Sequence, residues 1–271
     1  MKIPHNVVYI RAALAEENEL ANASKYFTVA RNLMDVAPGS FVVPRYSFLP
    51  YPEEVEYNLK KLGCSLINSL AMHKWIANFE WYNVPELAQA SFESWNDDTI
   101  CDAPKNISYI VKGRTNSRKF DWNSSMFAHD RLHALKIAAR LAGDSLIGPQ
   151  GIIYRRYEPL ETYEVGINGL PFTNEWRFFF LQEQMIAGGY YWSIAENIPQ
   201  ELPNEATVLA KNLAQIACKY ANFFVLDIAK TQTGEWKLVE INDGCQSGLS
   251  CISADKLYSN LKFLLPNVAQ S

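Results

Sequence analysis

Cysteine is scarce in this chain and follows no pattern. The five thiols, Cys64, Cys101, Cys218, Cys245 and Cys251, are odd in number and lack CxxC spacing, so there is no disulfide framework to read and reduced thiols in a cytoplasm-like compartment are expected. Long hydrophobic runs are missing as well. No stretch of 18 apolar residues occurs, and the opening MKIPHNVVYIRAALAEENEL soon turns acidic; the expectation is a cytoplasmic protein with no membrane span and no secretory leader. Neither sign of charge dominates. With 25 basic against 29 acidic side chains the net charge is −4, which gives no electrostatic case for nucleic acid or a membrane as main partner. Internal repeats, low-complexity linkers, a P-loop and a convincing Ser-His-Asp or Cys-His set are also lacking. What remains is the composition of a globular protein: 48% hydrophobic and 20% charged over 271 residues, enough for one large or two small domains with a substantial core.

Up to about Ile100 strand and helix signals alternate. Asn6–Ile10 and Ser40–Val43 read as strands, and Pro52-Glu53-Glu54 opens a helix that Gly63 closes. Cys64–Ile67 follows as a strand, and Ser69 caps a helix through Ala77. This alternation predicts an α/β unit with a parallel sheet, divided from the rest near residue 100 by turn-rich sequence. Further on, Ile107–Val111 and Ile152–Tyr157 are predicted strands, Ser124 or Ser125 caps a helix through Leu141, and Thr207–Tyr220 is an amphipathic helix. Its neighbours Glu175–Leu181 and Met185–Trp192 are predicted to form an antiparallel pair, and a last helix runs from about Asp255 to Leu264.

The strongest chemical signal is the stretch Asn222–Ser250. Two apolar runs, Phe223–Ala229 and Trp236–Ile241, flank a polar Thr-Gln-Thr-Gly segment, the pattern of a β-hairpin. If Thr233-Gly234 is a two-residue loop, Asp227 lies opposite Glu240, and Val225, Asp227 and Ala229 share a face with Leu238, Glu240 and Asn242. Two adjoining carboxylates then repel and lose hydration, and an all-oxygen set of this kind suits Mg²⁺. A three-residue loop would flip one strand and scatter the cluster; a hairpin with its acids in solvent is the plain alternative.

Other charged groups sit in suggestive places. Lys112 ends a strand and leads into Gly113 and a basic, hydroxyl-rich loop with Arg118 and Lys119; this is either a polyphosphate seat or a solvated turn. Arg177 stands between Trp176 and Phe178 in an apolar strand, where an arginine needs an anion: Glu175, Glu183 or a phosphate. His129 and His133 imitate a zincin helix, but Asp130 replaces the longer base and no third ligand is evident. Cys245 has no histidine near it in sequence.

Taken in order, VKGRTNSRK, YRRYEPLE, NEWRFFFL and LVEINDGCQSGLS resemble the ATP-grasp superfamily over Lys105–Ser250, and within it a phage and bacterial clade of amide ligases. The resemblance implies an α/β (α+β) fold: two ATP-grasp subdomains, at 101–157 and 158–271, preceded by a small parallel-sheet α/β domain at 1–100. It also implies roles. Asp227, Glu240 and Asn242 would bind Mg²⁺, Lys112 would touch the phosphates of ATP with Arg118 and Lys119 nearby, and Arg177 would face the γ-phosphate or an acyl phosphate. Arg156, Tyr157, Glu158 and Glu161 would lie on the adenine and ribose side, although Arg155-Arg156 stands where many relatives carry an acid.

The activity implied is ATP-dependent ligation of a carboxylate to an amine through an acyl phosphate, releasing ADP and phosphate. Positioning anions and cancelling their charge needs metal, Lys112 and Arg177 but no protein nucleophile. A phosphotransferase on the same scaffold and a non-catalytic nucleotide-binding module are the competing readings. The carboxylate and amine partners are a small molecule, a peptide or a protein terminus, with Arg45 and the Phe79–Tyr82 aromatics as loose candidates for the acceptor pocket.

Overall fold

In the computed structural model the described residues are 6–10, 17–45, 52–145, 147–166 and 169–268. The first unit is built from β1 (Asn6–Ile10), α1 (Glu17–Tyr26), β2 (Thr28–Ala30), β3 (Phe41–Arg45), α2 (Pro52–Lys61) and β4 (Ser65–Leu66). Its strands are all parallel in the order β2-β1-β3-β4, as the alternating pattern predicts. Gly63 ends α2 at φ +67, a conformation open to glycine. Two short helices follow, α3 (Leu70–Ala77) and α4 (Pro85–Ala90). Ser69 caps the first by accepting from the Met72 amide at 3.3 Å.

The second sheet contains β5 (Ser94–Asn96), β6 (Tyr109–Gly113), β7 (Phe127–Ala128) and β8 (Ile152–Arg156), with α5 (Arg131–Leu141) packed on it. The order is β5-β8-β6-β7 and every pairing is antiparallel. One expectation fails here. The helix expected from Ser124 or Ser125 is a π-turn over Trp122–Met126, then β7, and α5 begins only after its cap, Asp130. Phe127-Ala128 finds an open edge on β6, and tertiary pairing overrides the local helical signal. Leu132 and Leu135 are 64% and 40% exposed, and Ala134, Ile137, Ala138 and Leu141 form the buried stripe of α5.

A small ribbon of β9 (Thr162–Val165) and β10 (Pro171–Thr173) leads into the third sheet. That sheet holds β11 (Glu175–Leu181), β12 (Gln184–Tyr190), β13 (Phe223–Lys230) and β14 (Trp236–Asp243), with α6 (Asn204–Ala217) before β13 and α7 (Ala254–Val268) at the end. Its order is β12-β11-β13-β14, antiparallel throughout. Both faces are covered. Phe178, Phe180, Phe224 and Leu226 pack on α6 and on Trp75, Trp81 and Leu87 from the α3–α4 region. Phe179, Ile186, Phe223 and Val225 pack on α7 and on Val8, Ile10 and Val43 of the first sheet. This layering leaves one end of the third sheet, around Asp227, free to face the second sheet.

Candidate active site

The hairpin β13–β14 sets the floor of the site. Asp227 stands opposite Glu240 and Val225 opposite Asn242, as the sequence predicts, but the route differs. The turn closes from Thr231 to Glu235 around a three-residue loop with Gly234 at φ +93. That loop shifts the pairing by one residue, so Ile228 faces Leu238 and Ala229 faces Lys237. A bulge between Asp227 and Ile228, where Val239 is the extra residue, shifts it back. Leu238 therefore joins the opposite face, buried with Ile228, and not the face of the acids.

On β11 Arg177 lies beside Asp227. Its Nε and Nη2 donate to Asp227 Oδ1 and Oδ2 at 2.9 and 2.8 Å, and its Nη1 donates to the Gly248 carbonyl at 2.9 Å. The partner is thus Asp227, not Glu175 or Glu183. Burial alone would lower the guanidinium's proton affinity, but the Asp227 carboxylate outweighs it and holds Arg177 firmly charged. Lys112, arriving from β6, forms an ion pair with Glu240. Burial opposes the Glu240 charge, yet the Lys112 ammonium and the Asn242 amide pull its carboxyl down to about 2. Asn242 Nδ2 bridges the acids, 3.1 Å from Asp227 Oδ2 and 2.9 Å from Glu240 Oε1. For that amide to offer its oxygen to a cation it must turn over, and the carboxylates then exchange its N–H groups for the cation.

A cleft of about 500 Å³ opens over this floor. One wall is Lys112 and the loop from Arg114 to Lys119, another is Gln246–Gly248, and His73 and Asn78 close the side. His73 Nδ1 lies 2.8 Å from Asp243 Oδ2, and Asp243 Oδ1 also accepts from Asn68. Lys119 points inward, its ammonium hydrogen-bonded to the Tyr191 hydroxyl and 4.5 Å from the ring centroid. Burial works against its charge, but Tyr191, Glu175 and Glu240 raise its affinity for the proton.

From the cleft a narrower slot runs between the second and third sheets, lined by Trp122, Met126, Leu160, Leu170 and Val239. It continues to Arg155, Arg156, Tyr157 and Glu158. Glu175, on the slot wall, is pushed up to about 7 by burial and by the charge of Asp227. Arg155 donates to the Val239 carbonyl at 3.3 Å and lies 4.7 Å from the Phe92 ring centroid, so the bulge residue that restores the hairpin register also anchors the slot.

The other expected residues divide. Arg156 pairs with Glu93 at 3.0 Å and Glu158 with Lys237 at 2.9 Å, both on the slot. Glu161 accepts from Asn174 Nδ2 at 3.1 Å, and Arg118 Nε donates to Asp144 at 2.8 Å, so its charge is taken by Asp144 and it does not line the cleft that Lys119 enters. Arg45 is fully buried, with Nε 2.7 Å from Glu19 and Nη2 2.8 Å from the Ser247 carbonyl; it supports the loop that forms a cleft wall and does not line an acceptor pocket. Trp81 is core. His129 precedes α5, so its ring stacks on His133 at 5.7 Å from outside the helix and the zincin geometry does not form. Burial pushes the Cys245 thiol well up, the reverse of what a nucleophile needs. Sequence reasoning missed Trp122, Glu175, Tyr191, Arg114 and Gln246, because none stands in a spacing that marks a site.

A family model described as the ATP-grasp domain, R2K clade family 3, matches residues 101–261. The chain belongs to this ATP-grasp family. No curated protein matches the sequence. Among solved structures, D-alanyl-alanine synthetase A from Vibrio cholerae is similar with a TM-score of 0.60 and 11% identity, covering 99% of this chain and 99% of that one. D-cycloserine synthetase DcsG aligns at a TM-score of 0.57 and 13% identity, covering 96% and 99%. The ATP-grasp ligase PsnB, solved with minimal precursor, Mg and ADP, aligns at 0.54 and 10%, covering 98% of each chain. At such identities the likeness is one of fold, and the fold is ATP-grasp. No helix among the described residues is long and apolar enough to cross a membrane.

Proposed function

We propose that the protein is an ATP-dependent carboxylate–amine ligase that forms an amide bond by way of an acyl phosphate. The observation that carries this reading is the floor of the cleft. There Arg177 pairs with Asp227 across adjacent strands of the third sheet and Lys112 reaches Glu240 from the second sheet, with Asn242 bridging both acids. Both carboxylates and the Lys112 ammonium are tied up in ion pairs, so the floor is a set of oxygen donors and cations suited to holding anions and not an activated nucleophile with its base.

Two carboxylates and an amide oxygen fit Mg²⁺, which takes few protein ligands and leaves room for phosphates. Among the described residues no three His, Cys, Asp or Glu side chains converge as a metal site, because the third donor here is Asn242. Glu240 and Asn242 would hold the ion. Asp227, fully buried and clasped by Arg177, would join them as Arg177 turns towards a phosphoryl group. The ion would supply charge neutralisation on the triphosphate. Lys112 and Lys119 orient phosphates from the side of the second sheet, while the slot lined by Trp122 and Leu160 takes the adenine and excludes water.

In the first step a substrate carboxylate oxygen attacks the γ-phosphorus and ADP departs. In the second an amine attacks the acyl carbon, phosphate leaves with that oxygen, and the amine's proton passes to solvent or a nearby base. Incubation with Mg-ATP and a panel of carboxylates and amines is expected to release ADP and phosphate only when both substrates are present. AMP with pyrophosphate would exclude the acyl-phosphate route, and a stable phosphorylated product without an amine would mark a phosphotransferase.

A further inference from the structure

The cations that line the wide cleft are not all provided for by the chain itself. Lys112 has Glu240, Arg177 has Asp227, and Lys119 has the Tyr191 hydroxyl. Arg114 has no carboxylate partner among the described residues, and its Nε is buried without a hydrogen bond. A buried guanidinium donor left open costs stability unless a ligand fills it. The side chain is nevertheless held in place. Its guanidinium lies over Gly151, where a Cβ would meet Nε at 3.2 Å and Cζ at 3.3 Å, and Gly151 itself adopts φ +83. Gly151 is thus fixed by backbone conformation and by the arginine above it. Across the same cleft the Nε2 of Gln246 is also buried and unpartnered.

Arg114 follows Lys112 by two residues, so it lies roughly 7 Å further along the chain direction of β6. Lys112 and Arg177 are already committed to the end where the phosphates go. Arg114 stands beyond them on the same cleft wall, and a planar guanidinium fork together with a primary amide matches the planar oxygens of a carboxylate.

We propose that Arg114 and Gln246 form a carboxylate subsite that holds a substrate carboxylate other than the reacting one. This rests on the ligase reading and narrows it: either the amine substrate is an amino acid or peptide with a free carboxylate, or the acyl donor is a dicarboxylate. A single uncharged amine or a simple monocarboxylic acid does not fill the site.

The test reads binding, not turnover. Wild type is titrated with and without Mg-ADP against single amino acids and their carboxamides, and against succinate and succinamate, by calorimetry or thermal shift. At least one carboxylate is expected to bind about tenfold or more tightly than its amide, the effect of one charge-assisted contact; which pair shows it separates the amino-acid from the dicarboxylate source. Arg114→Gln should erase the preference while leaving Mg-ADP affinity within about twofold. Arg114→Lys, which keeps the charge without the fork, should restore part of it. If Arg114→Gln does not fold, Arg114→Lys and Gln246→Ala are read alone and must each reduce the preference. The proposal is overturned if wild type does not distinguish carboxylate from amide, or if the Arg114 variants leave the preference intact, whatever they do to Mg-ADP affinity. A carboxylate preference without any amine-dependent ADP release would leave the subsite standing and sink the ligase reading alone.

Discussion

Glu240 and Glu175 stand close enough to feel each other's charge, yet the fold pushes them in opposite directions. Glu240 has Lys112 and Asn242 within hydrogen-bonding reach, and its carboxyl is pulled down to about 2. Among the described residues Glu175 accepts from the Thr173 hydroxyl at 3.2 Å alone, and burial with the Asp227 charge pushes it up to about 7. Glu240→Ala should lower Mg-ATP turnover roughly 10²- to 10³-fold, comparable to the loss of one preorganised electrostatic contact; initial-rate measurements at saturating substrate check this. For Glu175 the consequence is a pH slope. Between the ordinary glutamate value of 4.5 and about 7 the folded state keeps a proton that the unfolded state has released. Stability therefore falls as pH rises through that window, by a total on the order of 3 kcal/mol. Denaturant melts from pH 5 to 8 should show this decline in wild type and a flatter profile in Glu175→Gln.

At the scale of elements, the hairpin and α3 carry the site. The sequence count placed Asp227 against Glu240 through a two-residue loop; the chain uses three residues and a bulge at Val239 to reach the same pairing. Alternation along a strand is legible because side chains point to opposite faces with period two, but one inserted residue is invisible until strands are paired. Helix α3 brings His73 against Asp243 and Asn78 to the cleft wall, and its start depends on Ser69. Ser69→Ala should cost about 1 kcal/mol of stability, read as a lower denaturant midpoint with unchanged slope. Arg45 acts on an element too: from β3 it donates to the carbonyls of Gly244 and Ser247, tying the first sheet to the loop that carries Gln246.

Across the whole molecule the first sheet and the third share one core. Val8, Ile10 and Val43 pack in the same cluster as Phe179, Leu257 and Leu261, so the N-terminal unit should not unfold separately. Far-UV circular dichroism and tryptophan fluorescence are expected to report coincident denaturant transitions; a resolved early phase would show that the units are independent. Saturating Mg-ADP should raise the midpoint, reflecting a gain in stability of about 2.7 kcal/mol at a hundredfold excess over Kd, and Glu240→Ala should reduce that gain.

That the carboxylates of the acidic hairpin face one another depended on the bulge at Val239, which only strand pairing reveals; the hairpin itself, the parallel first unit and the antiparallel pairing of the Glu175 and Met185 runs are legible in the amino-acid order alone. These follow from local periodicity, caps and turn residues, which act within a few positions of the chain. The partner of Arg177, the diversion of Arg118 to Asp144, the burial of Arg45 and Cys245, and the β7 strand in place of a helix were decided only by tertiary structure. Each depends on a group far along the chain arriving at a particular strand edge or cavity wall. Electrostatic pairing and burial are properties of that arrival, and no spacing in the sequence encodes them.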